Sequence, residues 1–368
     1  MKLEFTPYSA SLIPACRAFN ERLRRHCNPP FLLPQDAPGT RLVPPGGIAW
    51  TQYLAVDGSG AVRGGVLLMD QRGWFQQRAV SLSNIQSPLS EGIADRAYSG
   101  VGLQMLKFVT ERNPYAYAVG MGSEQNPFAR LLLAAGWHVA PVPFQFSVIR
   151  AARFLREVAP LRRPRVGWLA RLAAGSGIGA AAVAGWRLAH RRSPLRGYSI
   201  EPANGWPKEL DTVWERCRAD LSFSILRDAQ TVADLHPESQ SRLRPFLLRS
   251  GGQIAGWSAS RVTAMRDSPI FGNLVVATIL DALAPPEHLS ALLTLTHAAL
   301  CGLGADLIVT NQKHERWQQQ FRRLGFLSGP SNYLLALSKP LASALRTEPD
   351  AFGRVYVSRA DGDGRIHL

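Results

Sequence analysis

The sequence predicts an α/β (α+β) chain made of two copies of one fold, each with a mixed central sheet, joined by a basic helical linker. Three observations predict it. The same order of strands and helices can be read twice along the chain. Equivalent glycines keep their spacing, 71 residues from Gly65 to Gly136 and 69 from Gly256 to Gly325. Between the two readings the composition changes abruptly, with eleven arginines against one acid, Glu157, over residues 150–196. Matched element order at a matched period implies duplicated structural units.

In the first half, "TQYLAVDGSGAVRGGVLLMDQ" is a hairpin, two apolar runs meeting at Asp57-Gly58. "RAVSLSNIQS" is the next strand. "AYSGVGLQMLKFV" is a glycine loop leading into apolar residues at helical spacing. "YAYAVGM" reads as a buried strand and "NPFARLLLAAGW" as a short helix stopped at Gly136. The second half repeats the order. "PFLLRSGGQIAGWSASRVTAM" is a hairpin turning at Gly251-Gly252, and "NLVVATILDAL" is a strand. "PEHLSALLTLTHAALCGLG" is a helix, "ADLIVTN" a strand, and "ERWQQQFRRLGF" a helix ending at Gly325. This places an N-terminal domain over 1–150, the linker over 151–197, a C-terminal domain over 198–345 and a hairpin or tail over 346–368.

A chain of 368 residues, 46% hydrophobic and 19% charged, has the size and composition of two globular domains. Cys16, Cys27, Cys217 and Cys301 are widely spaced with no CxxC pair. That argues against a disulfide framework or zinc site and fits a reducing compartment. "MKLEFTPYSA" lacks the apolar core of a signal peptide, so the expected location is cytoplasmic, with peripheral attachment at the inner face of the membrane as an extension. Most of the net charge of +15 sits in the arginine stretch, which suits lipid headgroups, nucleic acid or an acidic carrier protein, or else is a solvated linker. Inside it, Leu172 to Trp186 carry no charge. That run is shorter than the ~20 apolar residues of a membrane span. It reads either as an interfacial segment between Trp168 and Trp186 or as a helical hairpin packed on its own domains.

A helix N-terminus offers unpaired N–H groups and a partial positive charge to phosphate, and glycines let the chain approach closely. Tyr98, Ser99, Gly100, Val101 and Gly102 form such a candidate loop. A lone GxG also occurs wherever a tight turn begins a helix, so the context matters. Hairpin, strand, glycine loop with helix, strand and then "N…GW" resembles the GNAT superfamily of CoA-dependent N-acyltransferases. The resemblance covers roughly residues 50–150, and more loosely 200–340. It implies that the loop amides hold the CoA pyrophosphate, with Gly100 and Gly102 in the glycine positions of Q/R-x-x-G-x-G/A. It also implies that the Asn126 helix, closed by Gly136-Trp137, borders the pantetheine and the acceptor.

The departures from the pattern are specific. The Q/R position falls on Ala97, beside Arg96. The tyrosine that family members often use as general acid, four residues before the closing glycine, is Leu132 in the first half and Phe321 in the second. "LAPPEHLSALL" replaces the second glycine loop, and Pro285 and Pro286 have no N–H to donate. The resemblance therefore implies a donor site in the first copy and a degenerate second copy, which keeps Asn311 and Gly325-Phe326.

Attack on a thioester needs a neutral amine, so a group or a water must take its proton. Glu91 and Asp95 lie between the strand and the glycine loop. Asp281 lies in an apolar strand of the second copy, where burying a charge is costly. These three are the catalytic candidates. Asp228 reads as structural beside Arg227, and His138, His236 and His288 read as structural too. No HExxH or acidic cluster suggests a metal, and Asp361 with Asp363 read as a turn rather than a calcium loop.

The expected function is N-acyl transfer from acyl-CoA, acetyl-CoA or the phosphopantetheine of an acyl carrier protein to a primary amine. A lipid-like acceptor, as in bacterial ceramide synthases, or a sugar amine at the membrane surface fits the basic linker. Two alternatives stand beside it. Peptidoglycan-bridge transferases also pair two GNAT-like domains and draw on aminoacyl-tRNA, although nucleic acid is not the expected partner here. A catalytically inactive, membrane-associated binding module is the other.

Overall fold

The computed structural model describes residues 2–29, 31–38, 47–158, 185, 195–237 and 239–362. Apart from Gly185, the uncharged run Leu172–Trp186 lies outside the described residues, as does Asp363. In chain order, β1 (Leu3–Pro7) precedes α1 (Ile13–His26), and β2 (Ala49–Asp57), β3 (Val62–Phe75) and β4 (Arg78–Ser90) form a meander. Then come α2 (Val101–Arg112), β5 (Ala116–Met121), α3 (Pro127–Ala134), β6 (His138–Pro141), β7 (Phe144–Val148) and α4 (Ala151–Glu157). The second half contributes β8 (Tyr198–Pro202), α5 (Leu210–Arg218), β9 (Phe223–Ile225), α6 (Ala229–Leu235), β10 (Leu243–Ser250), β11 (Gln253–Ala264) and β12 (Val275–Leu283). It continues with α7 (Pro286–Gly302), β13 (Leu307–Asn311), α8 (Glu315–Arg323), β14 (Leu327–Gly329), β15 (Tyr333–Leu337), α9 (Lys339–Leu345) and β16 (Val355–Tyr356). Both hairpins form where the turn residues require. Gly251 and Gly252 are both left-handed, at φ 57° and 82°, as a two-residue turn between twisted strands demands.

The chain divides into two compact units, Met1–Pro141 with Asn332–Ala351, and Val142–Ser331 with Phe352–Leu368. Unit 1 orders its strands β1-β2-β3-β4-β5-β15-β6, with β4 and β5 parallel. On one face, Val66, Leu68, Ile85, Ala116 and Ala118 pack against Met105, Leu106 and Val109 of α2 and Leu132 of α3. A second cluster joins Cys16, Phe19 and Leu23 of α1 to Leu54, Val62 and Leu89. Each such large side chain contributes about 1.5–3 kcal/mol by leaving water. Unit 2 has a seven-stranded sheet ordered β14-β7-β13-β12-β11-β10-β8, with β12 and β13 parallel, and a short parallel pair β9/β16.

The units interleave in sequence, so a linear division at residue 150 does not describe them. β7 comes from the first half of the sequence yet pairs with β13 and β14, and its Phe144, Phe146 and Val148 pack on Val276, Leu307 and Val309. β15 comes from the second half yet pairs with β5 and β6, and its Ala336 completes the first core. The start of the linker is also part of a fold. Asp306, fully buried, accepts from Arg150 Nη1 at 3.2 Å, Arg153 Nη1 at 2.7 Å and Val275 N at 2.7 Å. Two of the eleven arginines thus satisfy a buried acid. Nor are residues 346–362 a hairpin: they form a 3₁₀ turn at Ala351–Arg354, β16, and a second 3₁₀ turn at Arg359–Asp361. Among the described residues no helix is long and apolar enough to cross a membrane.

One histidine makes unit 2 sensitive to acid. His314 caps α8, its Nδ1 accepting from Arg316 N at 3.1 Å, and burial, with Arg316 nearby, lowers its pKa to about 4. The unfolded chain protonates near 6.5, so between those values the unfolded state binds the extra proton. Stability is then full above pH 6.5 and falls as the pH drops toward 4, by up to about 3 kcal/mol. Urea melts of wild type and His314→Asn at pH 7 and pH 4.5 should show a steeper acid loss in the wild type.

Candidate functional site

β4 and β5 pair at only two positions, Ser83↔Ala116 and Asn84↔Tyr117, and then part. β4 runs on to Ser90, bonded to β3 alone, while β5 takes β15 as its partner to Met121. An extra residue bulges β4 between Gln86 and Leu89, where Ser87 is left-handed at φ 44°. The result is a wedge with Asn84 and Tyr117 at its apex. At its open end, Val101 stands against Gly64 and Leu89: a Cβ on Gly64 would meet Leu89 O at 2.6 Å and Val101 Cγ1 at 3.1 Å.

The glycine loop begins α2 at that open end. Gly100 is the N-cap and accepts the first intrahelical bond from Gln104 N at 3.1 Å. The N–H groups of Val101, Gly102 and Leu103 therefore precede any intrahelical acceptor. The two glycines serve different ends. Gly100 is right-handed, at φ −74°, so it is not needed for a left-handed turn; a Cβ there would point into open space. Gly102 lets α2 approach α3, since a Cβ would meet Leu131 Cδ2 at 2.8 Å. Ser99 is exposed, and Tyr98 lies under the Arg63 guanidinium, 4.3 Å from its ring centre.

Glu91 and Asp95 both build this loop. Glu91 is buried; its Oε1 accepts from Arg22 Nε at 2.7 Å, and its Oε2 from Arg63 Nη1 at 3.0 Å and Arg22 Nη2 at 3.2 Å. Arg63 Nε also donates to Asp57 Oδ2 at 2.7 Å. The Ser59 hydroxyl and Arg63 hold the Asp57 carboxyl well below the usual range. Asp95 caps the 3₁₀ turn Arg96–Tyr98 through a 2.9 Å bond from Ala97 N. Asn126 caps α3, accepting from Phe128 N at 2.9 Å. Leu132, at the tyrosine position, is fully buried in the core.

Asp281 is far from an accessible base. It is 1% exposed in unit 2; its Oδ2 accepts from Arg227 Nε at 2.7 Å and its Oδ1 from Tyr356 OH at 2.5 Å. Burial pushes its pKa up most, but the Arg227 guanidinium, His236 and the Tyr356 hydroxyl together outweigh burial and keep it low, about 2, so the group is already ionised and sealed among its partners. Asp228 caps α6 by accepting from Thr231 N. Asp361, expected in a turn, is sealed as well: it is fully buried against Arg227 Nη2 at 2.6 Å.

The sequence reading passes over the polar group at the wedge apex. Asn84 and Tyr117 are fully buried, and Gln71 Nε2 donates to Tyr117 OH. Gln71 Oε1 has no hydrogen-bond partner among the described residues. The available signal was "SNIQS", three polar types around Ile85 in β4, which holds only Asn84 of the group. Among the described residues no group of three or more His, Cys, Asp or Glu is placed to hold a metal.

No protein-family model matches this sequence, and no curated protein matches it. Among solved structures, a GCN5-related N-acetyltransferase from Anabaena variabilis ATCC 29413 matches with TM-score 0.51 and 11% identity over 91% of this chain and 72% of that one. Saccharomyces cerevisiae N-myristoyltransferase with bound myristoyl-CoA gives 0.49 and 8%, over 91% and 82%. A tandem GNAT protein from the clavulanic acid biosynthesis pathway gives 0.42 and 16%, over 92% and 99%. The chain has the GNAT fold, in two GNAT-like units with mixed sheets.

Glu91→Gln separates scaffold from base. As scaffold, its loss should cost about 1–3 kcal/mol in urea melts, at the lower end because Arg22 is part-exposed. In an N-acyltransferase assay the pH profile should keep its shape, whereas removing a general base lowers kcat about 10²–10⁴-fold.

Proposed function

We propose that this chain is an N-acyltransferase whose donor site is the wedge and glycine loop of unit 1. The observation that carries the reading is the start of α2: three N–H groups free of intrahelical acceptors, with open space at Gly100, at the mouth of a strand pair that has parted. The residues fit acyl-CoA. N–H groups at a helix N-terminus suit a pyrophosphate, and β4 from Asn84 to Ser90 offers about 20 Å of edge for an extended arm.

Acyl-CoA, when bound, supplies an acyl carbonyl activated on a thiol leaving group. The remaining work falls to the chain. Val101, Gly102 and Leu103 hold the phosphates through their N–H groups, with Tyr98, Ser99 and Asn126 bordering the path. Glu91, Arg22, Arg63 and Asp57 keep the loop in place, and Asp95 fixes the turn before it. Gln71, Asn84 and Tyr117 form the polar end of the wedge. Tyr117 supplies there the hydroxyl that Leu132 lacks, and water takes the proton of the incoming amine.

The acceptor is a primary amine. Net charge of +15 supports a lipid-like acceptor at an anionic membrane surface, with a sugar amine as the second member of the class. It equally supports an acidic acyl carrier protein as the donor's bearer.

Thermal stability with acetyl-, octanoyl- and palmitoyl-CoA tests the reading. A ligand at 100 times its Kd adds about 2.7 kcal/mol. The expected result is stabilisation by CoA donors that Gly100→Trp removes, since that side chain fills the approach without crowding the fold. Stabilisation that grows with chain length supports the lipid-like class. No shift with any CoA would overturn the donor site and favour aminoacyl-tRNA or a non-catalytic module.

A further inference from the structure

Unit 2 has the same wedge and fills it. β12 and β13 pair at four positions, from Val276↔Leu307 to Ile279↔Thr310, and β12 then continues alone on that side to Leu283. Past β13 the backbone alternates. Gln312 N donates to Pro143 O, on the β7 side, and Lys313 N donates the opposite way, to Val357 O at 2.9 Å. Ser358 bridges to Gln312 in the same stretch. The C-terminal segment thus meets the chain just past the end of β13, on the side opposite β7.

It reaches β12 as well. Tyr356 OH donates to Asp281 Oδ1 at 2.5 Å and lies 2.7 Å from Ala282 O. Arg227 bridges Asp281 on β12 to Asp361 in the segment, at 2.7 and 2.6 Å. Arg359 Nη1 donates to Asn311 Oδ1, the last residue of β13, at 2.9 Å. Tyr356, Arg227 and Asp361 are all fully buried. Isolated, these charges would be expensive to bury; here each has an opposite partner and further hydrogen bonds. At the mouth, the helix start that could receive phosphates is Pro285-Pro286.

We propose that the segment Val355–Asp361 is the resident occupant of the unit 2 wedge, seated where a donor arm would lie and closing that unit to acyl donors. The chain then has one donor site, a consequence that rests on the acyltransferase reading of unit 1. The segment bonds to both separated strands, so it also sets how far they part. Its lock is one cation shared by two carboxylates, Arg227 between Asp281 and Asp361.

Hydrogen exchange on the full chain tests the seat directly. In the wild type, the Lys313 amide and those of residues 355–361 should be as protected as β13. Tyr356→Phe and Asp361→Asn should each raise exchange at residues 312–313 and 355–361 together by tenfold or more, leaving the β10–β11 hairpin unchanged. Wild-type exchange at these amides as fast as in an open loop overturns the proposal. Equilibrium dialysis with labelled CoA supplies the second arm. One equivalent should bind the wild type and none Gly100→Trp. One equivalent retained by Gly100→Trp shows an open second wedge and overturns it too. A wild type that binds no CoA sinks the donor reading of unit 1, while exchange still decides the occupant.

Discussion

A parallel strand pair that parts before its strands end leaves backbone N–H and C=O groups facing a gap, and buried backbone groups must find partners. Both units are organised around that constraint. In unit 1 the pair is released after two positions, and β4 is bent further by its bulge at Ser87. In unit 2 the pair holds for four positions, and the chain returns more than forty residues later to occupy the opening. The same topology thus yields an opening in one unit and a filled seam in the other. The difference lies beyond the strand ends: Gly100 and free N–H groups in one unit, Pro285-Pro286 and a buried C-terminal segment in the other.

Neither sheet is complete within its own half of the sequence. β15 enters between β5 and β6, and β7 between β13 and β14. These contacts join residues 218 and 163 positions apart, Ala336 with Ala118 and Phe146 with Val309. Ordering such loops is entropically costly and slows folding relative to local pairing. Two linear copies read from the sequence are therefore a fair account of the element order and a poor account of the units. Period and order are local properties. Which of two equivalent strands fills a slot depends on distant packing that alternation does not encode.

Local rules were sufficient where the chemistry is local. Gly60 and Gly251-Gly252 take left-handed conformations in their turns that few other residues accept, and Gly136 and Gly325 end their helices in the left-handed region. The site was legible in part. The glycine loop is a helix start facing a parted strand pair, and its glycines differ in surroundings: a Cβ on Gly102 would press the Leu131 side chain, whereas Gly100 is set apart by the room around it. Asp281 stood out as a costly acid in an apolar strand, and the cost is real. Its partners, Arg227 at 54 residues and Tyr356 at 75, carry no local sign of the pairing. Arg150 and Arg153, read as free charge, are matched to Asp306 over 150 residues away.

Unit 2 uses ions where leucines would fill the same space, and the reason lies in the demands of the seam. Apolar replacements for a buried ion pair are often neutral or stabilising, so the cluster is not explained by stability alone. A parted strand pair, however, presents polar backbone edges, which an apolar plug would leave unmatched at about 1–3 kcal/mol each. Val357 O answers Lys313 N in this way. Once a polar segment is required there, Arg227 gives it one register, because only one placement sets Asp361 and Asp281 on the same guanidinium. A slip of one residue would strand a buried carboxylate, which is far more costly than the loss of any apolar contact.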